Sequence, residues 1–149
     1  MFVNKDHPLV SIIIPAYNAG RYVYSTLHSV LNQTWQNLGV IVVNDGSTGR
    51  SMEICQQFDD PRITYVEQEN GGCATARNAG IRHAHGKYLG FIDADDTWMP
   101  EKIAGHMLQF AKDPDLGLVY SFSSLMDDAG AWKRNTLLSQ TPHNKVCRQ

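Results

Sequence analysis

The chain has 149 residues, of which 42% are hydrophobic and 19% charged, and a formal net charge of -2. This length suits one domain with its own core, and the small charge gives no electrostatic reason to expect nucleic acid as a partner. No apolar stretch approaches the roughly 20 residues of a transmembrane segment, and the start lacks a signal-peptide pattern. The 3 cysteines lack CxxC spacing, which disfavours a disulfide framework or zinc site. We predict a cytoplasmic protein, with peripheral attachment at the inner membrane face left open.

Aliphatic runs and helical patterns alternate along most of the chain. Strands are predicted for three long aliphatic runs, which should be buried, and for one shorter run: 9–14, 40–43, 88–92 and 63–66. Helices are predicted between and after them from apolar spacing, alanine content or capping residues: 18–34, Ser47 or Thr48 to 58, 71–86, and Pro100 to 112. A last strand is predicted for 118–122, and the turn residues 127–130 favour a hairpin.

The order of these elements predicts the fold class. Strands that alternate with helices imply right-handed crossovers and a mainly parallel sheet covered on both faces, which is a three-layer α/β/α, Rossmann-like architecture. No internal repeat or linker is evident, so residues 1–149 are assigned to one domain, with 133–149 a candidate for disorder. Ligands of such sheets bind beyond the carboxyl ends of the strands. The residues after each long strand are therefore candidates for a binding site.

Three aspartates follow the strand at 88–92. If the chain stays extended after Ile92, Asp93 and Asp95 point to the same side, whereas Asp96 turns aside. Two such carboxylates form half a site for Mg²⁺ or Mn²⁺, and magnesium usually completes its coordination with waters and substrate phosphates. The alternative is that Asp93 is a turn residue and that Asp95 or Asp96 caps the next helix. The motif alone does not decide between these interpretations.

The other two long strands also end in unusual turns. Pro15 ends the first strand, and Tyr17 offers an aromatic face for stacking on a base. Asp45 follows the second strand and could accept hydrogen bonds from ring N–H groups, while Gly46 lets a flat ligand approach the backbone. Taken alone, Tyr17 would be interpreted as a packed aromatic residue, and Asp45 with Gly46 as a turn or helix cap.

A glycine-rich stretch leads into the helix at 71–86. Gly71 and Gly72 bring backbone N–H groups to its N-terminus, a favourable place for an anion. Arg77, about one turn further, could pair with a phosphate or hold one of the aspartates in place. This stretch adds an anion-binding element to the three strand-end turns.

Four segments, in order and spacing, resemble the motifs of family 2 glycosyltransferases: VSIIIPAYNAGRYVYSTLHSVLNQTW, VIVVNDGST, ENGGCATARNAGI and GKYLGFIDADDTWMPEKI. The resemblance covers about Leu9 to Tyr120. It implies a GT-A fold and an enzyme that uses a nucleotide-diphospho-sugar, usually uridine-linked, with Mn²⁺ or Mg²⁺. The implied partners are this donor and an acceptor that could be a saccharide, a lipid or a protein.

The resemblance also implies roles for individual residues. Tyr17 would stack on the base, Asp45 would accept from its ring N–H, and Arg77 would lie near the diphosphate. The residues implied to bind the nucleotide-sugar are Pro15, Ala16, Tyr17, Asn18, Asp45, Gly46, Asn70, Arg77, Asp93, Ala94 and Asp95. Those implied to hold the metal are Asp93, Asp95 and Asp96. The implied reaction inverts the anomeric carbon, after a carboxylate deprotonates the acceptor hydroxyl.

The sequence departs from the family pattern in two ways. Asn44, Gly39 and Gly49 replace residues that are often acidic in the family, and we expect only local effects from these changes. The larger departure is length, because the family's general base and acceptor-binding elements follow the DxD motif in a second half. Asp127 and Asp128 are the only acids in the remaining tail, and their turn-like setting makes neither a convincing base.

Three other classes of protein are alternatives to a glycosyltransferase. A nucleotide-binding module without turnover would keep the donor site but lack the base. A dinucleotide-dependent oxidoreductase needs GxGxxG after the first strand, where this sequence has PAYNAG. A phosphoacceptor signalling domain would want acids at the same place. The sequence favours a glycosyltransferase or its donor-binding portion, with the binding module as the alternative.

Overall fold

The computed structural model describes residues 7–127, 131–133 and 146–148. The chain divides into two compact units, Met1–Ile103 and Ala104–Gln149. The elements, in chain order, are β1 (Val10–Ala16), α1 (Val23–Leu31), β2 (Leu38–Asp45), α2 (Ser51–Cys55), β3 (Ile63–Gln68), α3 (Cys73–Arg82), β4 (Tyr88–Phe91), α4 (Lys102–Lys112), β5 (Leu116–Val119), β6 (Leu125–Met126), β7 (Trp132–Lys133) and β8 (Val146–Arg148). None of the helices among these residues has the length and apolar character needed to cross a membrane.

The first unit is built on a four-stranded parallel sheet in the order β3-β2-β1-β4. Crossovers that step first to one side of β1 and then to the other place helices on opposite faces of the sheet. The predicted α/β class with a parallel sheet is therefore confirmed. In this order, β2, β1 and β4 are neighbours, so the turns that follow them lie along one edge of the sheet.

The centre of this sheet is apolar on both faces, which explains why β1 and β2 are nearly continuous aliphatic runs. Ile13 is fully buried and lies opposite Ile41 of β2 and Phe91 of β4. The helix α3 packs on the Ile13 face, where a Cβ added at Gly80 would collide with the Ile13 side chain. Glycine at this position therefore lets α3 lie directly on the sheet.

The strand β4 differs from the prediction of a third fully buried strand. It is an edge strand among the described residues, and Leu89 and Phe91 are 43% and 45% exposed. Only Ile92, just past the strand, is buried as expected. An aliphatic run shows that a strand is apolar, but it does not show whether the strand has a neighbouring strand on one side or on both. The order of the strands in the sheet decides this.

All four helices are shorter than predicted: α1 covers only part of 18–34, and α3 covers only part of 71–86. The helix α2 covers only Ser51–Cys55, with Arg50 rather than Ser47 or Thr48 before its first residue and no side-chain cap. The helix α4 begins at Lys102, two residues after Pro100. Ser47 and Thr48 bond to Asn18 of another loop and so do not start α2. Before α4, the Pro100 carbonyl accepts the Thr34 N–H at 2.9 Å.

The second unit contains two small antiparallel pairs. The strand β5 pairs with β8, and it begins two residues before the predicted 118–122 strand. The predicted hairpin is confirmed by the pairing of β6 with β7, which Asp127 and Ala131 close with two hydrogen bonds of 2.9 Å. Residues 128–130 of its turn lie outside the described residues. So does most of the segment expected to be disordered, namely 134–145 and 149.

Candidate functional site

Asp45 ends β2 and is almost completely buried, with 3% of its surface exposed. Its carboxylate accepts three hydrogen bonds. Oδ1 accepts from Gln68 Nε2 at 2.7 Å and from the Gly71 N–H at 2.9 Å, and Oδ2 accepts from the Gly72 N–H at 2.9 Å. The two glycine N–H groups predicted to favour an anion therefore bind a carboxylate of the protein itself. Asp45 thus ties the end of β2 to the loop before α3.

These donors keep the Asp45 carboxylate ionised. The Gly71 N–H lowers the pKa of the carboxyl, burial acts against it, and the bonds from Gln68 and Gly72 lower the pKa further, so that it lies below its ordinary value. An ionised carboxylate has roughly four acceptor positions. With three in use, about one acceptor position remains, on Oδ2.

Gly46 is required by the protein backbone. Its φ is +73°, and a Cβ placed there would lie 2.8 Å from the backbone nitrogen of Asn70. Asn70 in turn donates from Nδ2 to the Asp45 carbonyl at 3.0 Å. The sequence suggested a flat ligand as the reason for this glycine, and the structure supplies a second reason in the close approach of Asn70.

The turn after β1 is joined to the turn after β2. Asn18 has a positive φ of 50°, its N–H donates to Ser47 Oγ at 3.1 Å, and its Oδ1 accepts from the Thr48 N–H at 3.0 Å. Ser47 Oγ also donates to the Ala16 carbonyl at 3.4 Å. Ser47 and Thr48 are therefore used to join loops and do not cap α2. Tyr17 is left 55% exposed beside these bonds, so its ring is available for stacking.

The chain turns directly after β4 and does not remain extended. The Asp96 N–H donates to the Asp93 carbonyl at 3.1 Å, which closes a turn over 93–96. The expectation of an extended segment is therefore wrong. Ala94 is nevertheless buried between the exposed Asp93 and Asp95, so both carboxylates still face solvent. Helix capping by Asp95 or Asp96 is also excluded, because α4 begins only at Lys102.

Arg77 of α3 donates from Nη2 to Asp93 Oδ1. Of the two roles suggested by the sequence, holding an aspartate is thus the one seen in the structure. Asp96 lies in a different environment. Burial raises the pKa of its carboxyl, and the charges of Asp95 and Asp93 raise it further, while Lys102 acts against them. The Asp93–Asp96 turn therefore concentrates negative charge that its neighbours only partly compensate.

The donor set of this turn suits a hard divalent cation with help from a ligand. Within 7–127, 131–133 and 146–148, no group of three or more His, Cys, Asp or Glu side chains is arranged to hold a metal ion. The predicted trio Asp93, Asp95 and Asp96 is thus not assembled as a complete site. One or two carboxylates together with phosphate oxygens are a usual donor set for Mg²⁺, so the residues present fit such an ion.

The sequence analysis missed Thr26, which holds the backbone of this turn. Thr26 of α1 is fully buried, and its Oγ1 lies 2.9 Å from the Ala94 carbonyl oxygen and 2.8 Å from the Asp96 carbonyl oxygen. It also missed Gln68 as a partner of Asp45. A signal for Thr26 exists in the sequence, because Thr26, Ser29 and Gln33 place polar side chains at i, i+3 and i+7, on one face of a helix.

The predicted residues therefore meet along one edge of the sheet. Pro15 does not end the first strand as expected, because β1 continues through Ala16. The residues at the ends of β1 and β2 and in the turns after β1, β2 and β4 are Pro15, Ala16, Tyr17, Asn18, Asp45, Gly46, Asp93, Ala94, Asp95 and Asp96, and Asn70 and Arg77 join them from the loop before α3 and from α3. The arrangement offers an aromatic face, a buried acceptor and a set of exposed carboxylates.

Solved structures with the same fold define the class of this protein. PcManGT, a mannosyltransferase from Pyrobaculum calidifontis in complex with GDP-Man and Mn²⁺, aligns with a TM-score of 0.68 and 27% identity over 81% of this chain and 36% of its own. TarS from S. aureus in complex with UDP-GlcNAc aligns with a TM-score of 0.69 and 22% identity over 88% of this chain and 38% of its own. The fold is the GT-A type of glycosyltransferases.

The sequence comparison is more specific. The model of the family described as "Glycosyl transferase family 2" matches residues 11–147, and the glycosyltransferase GlyA of Streptococcus pneumoniae is 40% identical over 120 residues, which are 76% of this chain and 17% of GlyA. The chain belongs to glycosyl transferase family 2, as its four motifs predicted. It spans less than a fifth of GlyA and less than two fifths of the two solved structures.

Proposed function

We propose that this chain is the donor-binding portion of a metal-dependent glycosyltransferase, which moves a sugar from a nucleotide-diphospho-sugar to an acceptor hydroxyl with inversion. The observation that carries the proposal is the meeting of three turns at the carboxyl ends of β2, β1 and β4. This edge is where parallel α/β sheets bind their ligands. The turns supply groups suited to the base, the diphosphate and a cation, in that order along the edge.

The base would lie at the β1 and β2 turns. The exposed ring of Tyr17 is suited to stacking, and the Asp45 carboxylate, ionised and acceptor-only, is suited to a ring N–H. Uracil has such a group at N3 and guanine at N1, whereas adenine has none on its ring. The uridine-linked donor that the family resemblance implies satisfies this requirement. The GDP-Man of PcManGT satisfies it as well, so both nucleotides belong in the test.

The diphosphate would lie beside the Asp93–Asp96 turn and Arg77. Asp95 and Asp96 would hold Mn²⁺ or Mg²⁺ from the protein side, and the phosphate oxygens would complete its coordination. Support comes from the hard-oxygen donor set, from the charge that raises the pKa of Asp96, and from the Mn²⁺ bound by PcManGT. When bound, the cation would stabilise the negative charge that develops on the departing nucleoside diphosphate.

The residues of this chain bind and orient the donor. Tyr17 and Asp45 hold the base, and Arg77 keeps Asp93 in place near the ribose. The acceptor hydroxyl loses its proton to a carboxylate base and attacks the anomeric carbon opposite the bond to the diphosphate. That bond breaks with its electron pair going to the diphosphate oxygen. Attack from the opposite face inverts the anomeric carbon.

The general base is not assigned to this chain. Asp127 accepts the Ala131 N–H at 2.9 Å and so closes the β6–β7 hairpin, a structural use that accords with its turn-like sequence. Asp128 lies outside the described residues. In the relatives, most of the protein is additional to the part that this chain matches. We propose that the base and the acceptor site belong to such a part, and the acceptor could be a saccharide, a lipid or a protein.

The donor proposal is tested by titration calorimetry of the purified chain with UDP and with GDP, each with Mn²⁺ and with EDTA. We expect binding of one nucleotide with Mn²⁺ and a loss of at least tenfold in affinity with EDTA. ADP is the matched control, because adenine lacks the ring N–H that Asp45 would accept. Equal affinity for all three nucleotides, or equal affinity with EDTA, contradicts the proposal.

The alternative of a binding module without turnover is separated from an active enzyme by product analysis. The chain is incubated with Mn²⁺ and a panel of UDP-sugars and GDP-sugars, and release of the free nucleotide is followed. Binding without release favours the module without turnover, which a longer parent protein would explain. Release with inverted sugar product would show that the chain carries a base of its own.

A further inference from the structure

The segment that connects the Asp93–Asp96 turn to α4 has no regular secondary structure over residues 97–99. Backbone N–H and C=O groups of such a segment still need hydrogen-bond partners where they are shielded from water. Here the partners come from three polar residues on one side of α1 and just beyond it: Thr26, Ser29 and Gln33. We call these three residues the α1 polar stripe.

Thr26 lies at the turn end of the stripe. Its hydroxyl is buried and has the carbonyl oxygens of Ala94 and Asp96 within 2.9 Å. These carbonyls flank Asp95 on both sides along the chain. The single hydroxyl hydrogen is shared between these two carbonyls, since the Tyr22 carbonyl is further away at 3.4 Å. It therefore links the backbone on either side of Asp95, the residue that the proposed function gives to the cation.

Ser29 and Gln33 hold the rest of the segment. Ser29 Oγ accepts from the Trp98 N–H at 3.1 Å. The fully buried Gln33 donates from Nε2 to the Met99 carbonyl at 2.8 Å and accepts at Oε1 from the Ile103 N–H at 3.0 Å. Gln33 therefore satisfies a carbonyl of the segment and an N–H in the first turn of α4, and a buried polar group with both partners rigidifies the segment that it joins.

We propose that the α1 polar stripe, and Thr26 above all, positions the carboxylates of Asp95 and Asp96 for the cation without touching the cation or the nucleotide. This inference rests on the proposed function, because metal-assisted nucleotide binding is its functional readout. Thr26 is a positioning residue here, and Ser29 and Gln33 act with it. Removal of the Thr26 hydroxyl leaves two carbonyls without their buried donor, so the turn shifts or loosens even though every carboxylate is still present.

The test compares Thr26→Val, which keeps the shape but lacks the hydroxyl, with Thr26→Ser, which keeps the hydroxyl. Two readouts are taken: amide hydrogen exchange of residues 94–98 in the chain without ligand, and the affinity for UDP with Mn²⁺. We expect exchange at least tenfold faster in Thr26→Val and an affinity about 10- to 100-fold lower, the range found for groups that support metal ligands. Thr26→Ser should restore both to within about threefold of wild type.

Val30→Ala is the matched control for lost stability. Val30 is fully buried on α1, and its truncation should destabilise the fold as a large-to-small core change does. It should leave the exchange of 94–98 and the nucleotide affinity near wild type at a temperature where all variants are folded. If Thr26→Val does not fold, Ser29→Ala provides the same comparison at the Trp98 N–H.

The outcomes separate this inference from the proposed function. Wild-type chain that fails to bind UDP or GDP with Mn²⁺ refutes both. Wild-type binding with equal affinity in Thr26→Val, or a Val30→Ala variant that loses affinity as much as Thr26→Val, overturns the positioning role alone. Faster exchange and weaker binding in Thr26→Val, restored in Thr26→Ser, support it.

Discussion

Two aspartates on one edge of the sheet have environments that shift their pKa values in opposite directions. Asp45, the last residue of β2, is buried, accepts three hydrogen bonds and has a lowered pKa. Asp96, after β4, has a raised pKa because of burial and the nearby charges of Asp95 and Asp93. The first carboxylate is stabilised by the protein's own N–H groups. The second belongs to a group of charges that a cation from outside would stabilise.

The difference shows that the place of an acidic residue at a strand end does not by itself define its role. Both turns lie where ligands of parallel sheets bind. What differs is the number of hydrogen-bond donors that the protein directs at the carboxylate. A carboxylate with several donors, such as Asp45, acts as an anchor that organises the loops. A carboxylate with few donors is suited to bind a cation. On this basis Asp45 should matter to folding and to binding, and Asp95 to binding alone.

The largest expected effect is that of Asp45→Ala on stability. The variant loses three hydrogen bonds to a charged group and leaves the Gly71 and Gly72 N–H groups without this acceptor. We expect the free energy of unfolding to fall by about 3–5 kcal/mol, measured by urea denaturation, and nucleotide affinity to fall with it. The exposed Asp59→Ala is the control and should change stability by less than about 0.5 kcal/mol. A loss below about 1 kcal/mol in Asp45→Ala would remove the anchor role.

Asp95→Asn should show the reverse pattern. The side chain is exposed, so the free energy of unfolding should stay within about 0.5 kcal/mol of wild type. Affinity for UDP with Mn²⁺ should fall at least about tenfold, because loss of a metal ligand should cost no less than loss of a group that supports one. Calorimetry and urea denaturation of the same sample measure both quantities. Undiminished binding in this variant would remove the cation from the Asp93–Asp96 turn.

Acid should weaken the Asp45 anchor. Its carboxyl pKa in the folded state lies below the ordinary value of 3.8, so the unfolded chain binds the proton more tightly. The stabilisation is therefore complete at pH values well above 3.8 and is lost as the pH falls through the folded pKa. We expect the difference in unfolding free energy between wild type and Asp45→Asn to shrink from pH 6 towards pH 3. The Arg62 guanidinium also lowers the pKa of Asp60, so Asp60 contributes to the loss of wild-type stability in acid. Asp60→Asn therefore serves as the reference variant. A difference that is independent of pH would contradict this account.

The smallest effect is expected for Asp96→Asn. The folded-state pKa of Asp96 is raised, so its ionised form is disfavoured in the fold and the neutral variant should be slightly more stable at pH 7. Because the side chain is only partly shielded from solvent, we expect a rise in melting temperature on the order of 1 °C. The rise should shrink as the pH falls through the raised folded-state pKa and should be absent below 3.8, where Asp96 is protonated in both the folded and the unfolded chain. A lower melting temperature for the variant at pH 7 would mean that Lys102 outweighs the acidic neighbours.

Several features could be predicted because they are local. The aliphatic runs at β1 and β2 report burial on both faces, and the apolar spacing of α1 reports one buried face. The strand-end turns could be located because parallel topology brings them to one edge. The features that could not be predicted depend on neighbours distant in sequence. The groups that bond to Asp45, namely the Asn70 amide and the Gly71 and Gly72 N–H groups, lie 25 to 27 residues from it in the chain. The Asp96 carbonyl lies 70 residues from Thr26, which bonds to it.

The sequence by itself determined the α/β class, the family and the three turns that carry the candidate site, because periodicity and short motifs record which residues are buried and which end a strand. Only the tertiary structure decided that β4 is an edge strand among the described residues, that the chain turns at 93–96, and that Asp45 is held by the loop before α3. The physical reason is that a carboxylate's charge state and a turn's shape depend on the donors and acceptors directed at them. Those partners come together only when the chain has folded.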